Sequence, residues 1–383
     1  MIPYARQDIR DADVAAVAAA LRDPFLTQGP KVASFEVKLA EITGARYAVA
    51  FSSGTAALHA AYAAAGVGPR RMVLTSPITF VATANAALYL QGEVRFVDVD
   101  PEHALLDPEA LAAVRDPGAG VVVPVHLAGH VAPMERLSTI ARQRGWAVVE
   151  DAAHALGARY TTGDGTEHRV GACAHSDMCC FSFHPVKHIT TGEGGAVTTN
   201  EHELARKLIR FRSHGITRDR AELAADDGPW YYEQRDLGFN YRITDFQCVL
   251  GLAQLERLSQ YLERRRAIAA RYDDLFSACG NVRALRPPSS SWSAYHLYVI
   301  RVPAKDRRRV FDGLMAAGIG ANVHYIPVYR QPYYQDNGFR DLRLLNAESY
   351  YAGAITIPLF PTLTDEQVNT VAAEVARLTA VAA

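Results

Sequence analysis

Residues Tyr47-Ala-Val-Ala-Phe51-Ser-Ser-Gly54-Thr-Ala-Ala-Leu58 join an apolar, β-rich run to a helical pattern through small and hydroxyl residues. The same alternation of short β-rich runs and helical patterns continues from about residue 45 to residue 200. Such alternation is typical of a mostly parallel sheet covered by helices. We therefore predict an α/β fold with a large domain of this kind.

The predicted strands share short length and apolar character, and they are Tyr47–Phe51, Met72–Thr75, Val94–Val97, Val121–Val125, Ala147–Glu150, Met178–Ser182 and Ala196–Thr199. The predicted helices between them are Gly54–Ala65, Phe80–Leu90, Pro108–Val114 and Met134–Arg144. An amphipathic stretch from Thr244 to about Phe276 predicts one long connecting helix. A β-rich run at Tyr295–Val302, followed by helical patterns at 305–317 and 364–379, predicts a smaller α/β domain.

These patterns divide the chain into a large domain at 1–243 and a connecting helix with a small C-terminal domain at 244–383, the N-terminal segment being free to pack on the small domain. The 383 residues carry 40 Lys and Arg against 41 Asp and Glu, so no basic field attracts nucleic acid or anionic lipid. No secretory signal and no run long enough to span a membrane is visible, so we expect a cytoplasmic protein. The five cysteines predict neither a disulfide framework nor a metal site.

The densest group of reactive and small residues is Cys180-Phe-Ser-Phe-His-Pro-Val-Lys187-His-Ile-Thr-Thr-Gly-Glu-Gly-Gly195, a predicted strand that runs into a loop and then into another strand. Loops at strand ends often carry the chemistry of α/β proteins. A desolvated lysine in such a loop becomes a nucleophile. A lysine in a loop is more often a surface residue, and this stretch alone favours that interpretation.

Asp151 changes that balance, because it ends the apolar strand Val148-Val-Glu-Asp151 at its carboxyl tip. Enzymes that use pyridoxal 5′-phosphate (PLP) need a carboxylate at the pyridine nitrogen, which must stay protonated for the ring to accept electrons. The alternative for Asp151 is an ordinary helix N-cap. Lysine and acid together favour a PLP site.

Other residues complete this hypothesis. Gly54 and Thr55 open a predicted helix, whose free N–H groups suit a phosphate, and Ser182 would join them. Phe80 lies at the next strand-to-helix junction, where it could stack on the ring or simply fill the core. His154 follows the acid and could bind the ring hydroxyl or simply fill space.

With these motifs in place, the sequence resembles the DegT/DnrJ/EryC1/StrS family of nucleotide-sugar aminotransferases, PLP enzymes of fold type I. The resemblance covers nearly the whole chain and rests on Phe25–Pro30, Ser53–Leu58, Glu150–His154 and Gly238–Arg242. It implies the fold type I architecture, with a mostly parallel central sheet in the large domain and a smaller C-terminal α/β domain.

The resemblance extends to a branch of the family. Four motifs are most similar to members that act in pseudaminic acid synthesis: Thr75–Thr83, Pro124–His130, Phe181–Thr191 and Gly228–Tyr232. They imply transfer of the amino group of L-glutamate to the C4 ketone of a UDP-2-acetamido-2,6-dideoxy-hexos-4-ulose. The alternatives are an aminotransferase for another nucleotide-linked keto sugar and, in a different class, a non-catalytic PLP-binding regulator.

The resemblance also implies a role for each site residue. Lys187 would bond covalently to the cofactor and act as the catalytic base, Asp151 would pair with the ring nitrogen and Phe80 would stack. The residues that would bind the phosphate are Gly54, Thr55, Ser182 and, from the neighbouring subunit of a homodimer, Asn240. The residues expected to contact substrate are Gln28, Arg218, His324 and Tyr325, for which surface or packing roles are the alternative.

Overall fold

The computed structural model describes residues 1–116 and 118–380 of the chain. The helices, α1 to α13 in chain order, are Asp11–Ala20, Pro30–Thr43, Gly54–Ala64, Ala82–Leu88, Pro108–Ala113, Met134–Gln143, His202–Arg212, Asp245–Leu255, Leu258–Phe276, Arg307–Ala316, Pro332–Tyr334, Leu345–Gly353 and Asp365–Thr379. The strands, β1 to β15, are Tyr47–Phe51, Met72–Thr75, Val94–Phe96, Ala119–Val123, Ala147–Asp151, Arg159–Thr161, Glu167–Arg169, Met178–Ser182, Gly195–Thr199, Ile216–Thr217, Glu233–Gln234, Arg283–Ala284, Ser291–Trp292, Tyr298–Arg301 and Ala354–Ile357. Short helical turns lie at Leu127–Gly129, Val328–Arg330 and Gln335–Phe339.

The main sheet has seven strands in the order β1-β9-β8-β5-β4-β2-β3. Strands β3, β2, β4, β5 and β8 pair in parallel, whereas β9 runs antiparallel to both of its neighbours, β8 and β1. The prediction of a mostly parallel sheet covered by helices is therefore confirmed.

Alternation along each strand produces two separate cores, one on each face of this sheet. Val148 and Cys179 belong to the core that also contains side chains of α2, α6 and α8. Val149 and Cys180, each one position further along, belong to the core that contains side chains of α3, α4 and α7. Neighbouring cysteines thus point to opposite faces, and both are free thiols.

The amphipathic stretch that predicted one long helix forms two helices, α8 and α9, with a break at Glu256 and Arg257. Arg257 has the non-helical backbone angles φ −111° and ψ 5°. Its guanidinium donates to both carboxylate oxygens of the fully buried Asp13 in α1, at 2.7 and 2.6 Å. The prediction of a single helix was wrong because a hydrophobic pattern does not reveal where a second helix docks.

A smaller antiparallel sheet of order β12-β14-β15 packs with α9, α10 and α13 around a third core. Ile2 packs against this core, and its backbone bonds to Gly318 and Gly320. Residues of α8 and of the start of α9 belong instead to the core of the main sheet. The domain boundary at residue 243 therefore stays a prediction.

Within the described residues, no helix combines the length and the apolar character needed to cross a membrane.

Replacing Asp13 with alanine should lower the free energy of unfolding by about 3 kcal/mol, because Arg257 would stay largely buried without its carboxylate. Asp11→Ala, which removes an exposed carboxylate from the same helix, is the matched control and should cost at most about 1 kcal/mol. Urea unfolding followed by fluorescence measures both. Equal midpoints for Asp13→Ala and the unchanged protein would show that this ion pair does not hold α1 in place.

Candidate active site

A cavity of about 580 Å³ lies at the carboxyl ends of β5 and β8. Nine of the residues singled out in the sequence line it: Gly54, Thr55, Phe80, Asp151, His154, Ser182, Lys187, His324 and Tyr325. They come from five separate parts of the chain, so the fold brings together what the sequence keeps apart.

Asp151 ends β5, and its carboxylate lies in the wall of the cavity with only 5% of the residue exposed. Thr83 donates its hydroxyl to Oδ2 at 2.6 Å, and the backbone N–H of Ala153 donates to Oδ1 at 3.1 Å. No helix begins after Asp151, because residues 152–158 form turns before β6. The alternative interpretation of Asp151 as a helix N-cap is therefore wrong.

Glu150 points away from the cavity into a buried network behind Asp151. The ring Nδ1 of His126 accepts from the N–H of Ala132, so its Nε2 carries the proton and donates to Glu150 at 2.8 Å. The hydroxyl of Ser176 donates to the other carboxylate oxygen. Backbone bonds also join Asp151 to the loop at 124–126, so this network anchors the strand end that carries the acid.

Lys187 lies in the loop between β8 and β9, which is closed at its base like a hairpin. Phe183 donates its N–H to the carbonyl of Gly194 at 2.8 Å, and Thr191 donates to the carbonyl of Phe183. The Lys187 side chain is only partly buried in terms of accessible surface because it lines an open cavity. The surrounding protein nevertheless lowers the pKa of its amine to about 8, mainly by desolvation, against the opposing charge of Asp151.

Four buried histidines surround the lysine, and they are His154, His188, His296 and His324. Desolvation lowers the pKa of each one, and the charge of Lys187 lowers it further, so all four rings are neutral at pH 7. The Nε2 of His154 contacts the hydroxyl of Tyr325 at 3.1 Å. The Nδ1 atoms of His154 and His296, both buried in the cavity wall, have no hydrogen-bond partner in the described part of the chain.

The sequence analysis missed His188, His296 and Thr83. His296 lies more than a hundred residues from Lys187, inside the β-rich run Tyr295–Val302, and nothing in its neighbourhood marks it as a site residue. Thr83 ends the motif Thr75–Thr83 and lies in the predicted helix Phe80–Leu90, but neither pattern gave it a role in the site. The usable signal was its spacing of four residues from Thr79, just before that helix.

The turn from β1 into α3 contributes Ser53, Gly54 and Thr55 to the cavity wall. Ser53 caps the helix by accepting from the N–H of Ala56 at 3.1 Å, whereas the amides of Gly54 and Thr55 have no acceptor within the helix. A β-carbon at Gly54 would lie 2.8 Å from that of Ser182, so only glycine allows β8 to approach this turn so closely. Free amides and a serine hydroxyl therefore meet at one end of the cavity.

Three predicted residues lie outside this cavity, and all three are exposed: Gln28, Arg218 and Asn240. Gln28 lines a separate cavity of about 270 Å³ together with Arg212 and Arg242. The guanidinium carbon of Arg218 lies 5.2 Å from the ring centre of Tyr232. Their roles stay predictions, because this single chain does not bring them to Lys187.

The cavity thus combines an amine with a lowered pKa, a buried carboxylate, free helix amides and uncharged imidazoles. Among residues 1–116 and 118–380, no group of three or more His, Cys, Asp or Glu side chains is arranged to hold a metal ion. The arrangement suits covalent attachment of a carbonyl compound at Lys187, with an anionic group at the start of α3.

Comparison with proteins of known sequence gives relatives of full length. The chain is 36% identical to the spore coat polysaccharide biosynthesis protein SpsC of Bacillus subtilis, over 97% of its own length and 95% of the relative's. It is 37% identical to the UDP-4-amino-4,6-dideoxy-N-acetyl-beta-L-altrosamine transaminase of Campylobacter jejuni, over 94% and 92% of the two lengths.

Solved structures agree with these relatives. Helicobacter pylori PseC, described as an aminotransferase involved in the biosynthesis of pseudoaminic acid, superposes with a TM-score of 0.90 at 30% identity over 99% of both chains. Spr1654 of Streptococcus pneumoniae, in its pyridoxamine phosphate form, gives a TM-score of 0.91 at 29% identity over 99% of both chains. A PLP form of Spr1654 is also known, in keeping with PLP as the family cofactor.

These similarities confirm the predicted fold type and the resemblance on which it was based. The family model matches residues 7–376, which leaves only short ends of the chain outside the match. The chain belongs to the DegT/DnrJ/EryC1/StrS aminotransferase family.

Proposed function

We propose that this protein is a PLP-dependent aminotransferase that moves the amino group of L-glutamate to the C4 ketone of a UDP-2-acetamido-2,6-dideoxy-hexos-4-ulose. The observation that carries the proposal is that Lys187, with a lowered pKa, and the buried carboxylate of Asp151 face the same cavity. The choice of sugar is supported by the altrosamine transaminase of C. jejuni and by PseC of H. pylori.

The residues present fit PLP. The unpartnered Nδ1 of His154 suits the ring hydroxyl, and the free amides of Gly54 and Thr55 with the hydroxyl of Ser182 suit the phosphate. Phe80 is 58% exposed at the cavity and contacts Tyr325, with 6.3 Å between ring centres, so one of its faces is available to a flat ring. The bound cofactor would supply an electron sink for negative charge that develops on the donor carbon.

The side chains of the protein would hold the cofactor and move the protons of the reaction. With PLP bound, the carboxylate of Asp151 would hold the ring nitrogen. The amine of Lys187 would carry the proton from the donor Cα to the cofactor in the first half-reaction, and a proton from the cofactor to C4 of the sugar in the second. Because the pKa values of the four histidines are lowered, their rings do not compete with Lys187 for protons at pH 7. Ping-pong kinetics follow from the two half-reactions.

A homodimer with shared active sites is part of the proposal. The exposure of Asn240 outside the cavity of its own chain supports its assignment to the site of a second copy. A two-fold pair is the commonest closed assembly.

A cytoplasmic location completes the proposal, since the described cysteines are all free thiols, as reducing compartments favour.

L-Glutamate should abolish the visible absorption of the PLP-loaded protein and yield one equivalent of 2-oxoglutarate. The Lys187→Ala variant should show neither event, because the covalent link and the base are both missing. Asp151→Asn should keep the cofactor and lose on the order of a hundredfold in rate, because the ring nitrogen loses its charged partner. A Lys187→Ala variant that converts glutamate at the normal rate would contradict the assignment.

Product analysis identifies the sugar. The glutamate-reduced enzyme is offered UDP-linked 4-keto and 3-keto sugars, and recovery of the visible absorption shows which ones accept the amino group. NMR of the product then gives the aminated carbon and its configuration. Recovery only with a 3-keto sugar would replace the proposed substrate by the alternative one.

The reactivity of Lys187 in the cofactor-free protein should rise with pH through about 8, because desolvation lowers the pKa of its amine to that value. Below this pH the amine is protonated and unreactive, and above it the neutral nucleophile dominates. Brief labelling with an amine reagent, read out by mass spectrometry of the peptide that contains Lys187, measures the profile. A midpoint near 10.4, as in free lysine, would show that the cavity does not desolvate this amine.

Co-expression of Lys187→Ala with Asn240→Ala should restore activity that neither variant has alone. Mixed dimers with shared sites carry one intact site out of two, so a random mixture should regain about a quarter of the normal activity. Lys187→Ala co-expressed with an inactive Asp151→Ala chain is the control, because those two residues come from the same chain. Restoration in neither mixture would place Asn240 outside the partner's site.

A further inference from the structure

Two threonine hydroxyls continue from the carboxylate of Asp151 into the protein. Thr83 Oγ1 lies 2.6 Å from Oδ2 of Asp151, and Thr79 Oγ1 lies 2.7 Å from Thr83 Oγ1. All three residues are buried, with exposures of 3% for Thr79, 1% for Thr83 and 5% for Asp151. Both threonines also contribute to the cavity wall.

The direction of these hydrogen bonds follows from the number of protons. An ionised carboxylate only accepts, so the single hydroxyl proton of Thr83 points at Asp151. Thr83 can then only accept from Thr79, whose proton must point at Thr83. The chain is therefore oriented, with each hydroxyl donating toward the carboxylate.

The fold holds this chain in place from behind. Tyr62, fully buried in α3, donates its hydroxyl to the backbone carbonyl of Thr83 at 2.9 Å. The N–H of Thr83 donates to the carbonyl of Phe80 at 3.2 Å, so the threonine is fixed at the first turn of α4. The hydroxyl consequently has one position from which it reaches Oδ2.

We propose that Thr79 and Thr83 form a hydroxyl relay that fixes the Asp151 carboxylate in its charged form, so that the proton of the pair stays on the cofactor ring nitrogen. The inference rests on the proposed function, because it assigns a task to a carboxylate that faces PLP. A hydrogen bond to the charged form of an acid favours that form. Without the relay, the proton moves from the ring nitrogen toward the carboxylate, and the ring becomes a weaker electron sink.

Thr83 is a positioning residue in this scheme, because it acts on the cofactor through Asp151. A purely structural role for the same hydroxyl would also make its loss harmful, by leaving a buried acceptor without its donor. The two roles differ in what they predict for the protonation of the ring nitrogen and for variants that lack the Asp151 carboxylate.

The experiment compares Thr83→Val, which removes the hydroxyl at nearly constant shape, with Thr83→Ser, which keeps it. PLP labelled with ¹⁵N at the ring nitrogen is bound to each protein, and the nitrogen signal reports whether the ring is protonated. Thr83→Val should move this signal toward the unprotonated value and slow the glutamate half-reaction about tenfold or more, as expected for the loss of a hydrogen bond to a charged group. Thr83→Ser should restore both.

Two further variants distinguish an effect through the Asp151 carboxylate from a general loss of stability. In the Asp151→Asn background, Thr83→Val should cause no additional loss of rate, because the group through which it acts has gone. Thr198→Val removes an equally buried hydroxyl, which donates to the carbonyl of Gly171 at 2.8 Å outside the cavity, and should leave both readouts unchanged. Thr79→Val should shift the nitrogen signal in the same direction by a smaller amount, and it tests the relay if Thr83→Val does not fold.

A protonated nitrogen signal and a normal rate in Thr83→Val, with Asp151→Asn impaired, would overturn the relay and leave the proposed function standing. A full additional loss in the Asp151→Asn background would show that Thr83 acts independently of the acid, which also overturns the relay. Failure of the unchanged protein to bind PLP would overturn the proposed function, and the relay with it.

Discussion

The parallel pairing of β5 with β8 is the constraint on which the site depends. Its register sets Asp151 opposite Cys180, so both strands end at the same edge of the sheet and their following segments meet there. The loop that carries Lys187 joins β8 to β9, and β9 pairs with β1 on the side away from β8. Strand β1 therefore ends at the same edge of the sheet, where Ser53 and Gly54 follow it. Acid, amine and free helix amides come together because three strand ends are adjacent.

Burial determines the charges of the site and has a cost in stability. Desolvation makes the histidines neutral and lowers the pKa of Lys187 to about 8, whereas an unfolded lysine titrates near 10.4. Since the folded pKa is the lower one, this lysine destabilises the fold by about 3 kcal/mol below pH 8, and the penalty disappears as pH rises to about 10.4. The buried network of Glu150 and His126 holds the strand end beside this lysine in place.

Most of the fold was predictable, because period-two alternation and turn residues are local signals. Seven strands of the main sheet were placed within a few residues, and the cavity collects both residues on which the sequence argument was built, Lys187 and Asp151. The break at Arg257 was not predictable, since it reflects docking against a helix more than 240 residues away in sequence. His296 and Thr83 were not predicted for the same reason, because their places in the site depend on tertiary neighbours that no local pattern encodes.

The antiparallel strand β9 also sets the order in which the molecule can assemble. Among the described residues, 195–199 form the only strand paired with residues 47–51, so β1 gains its partner from a segment made about 150 residues later. On the ribosome, the early strands β2, β4 and β5 can already pair while β1 has an open edge. Such an edge is a site at which incomplete chains can associate, and its pairing with β9 removes that exposure once residues 195–199 have emerged.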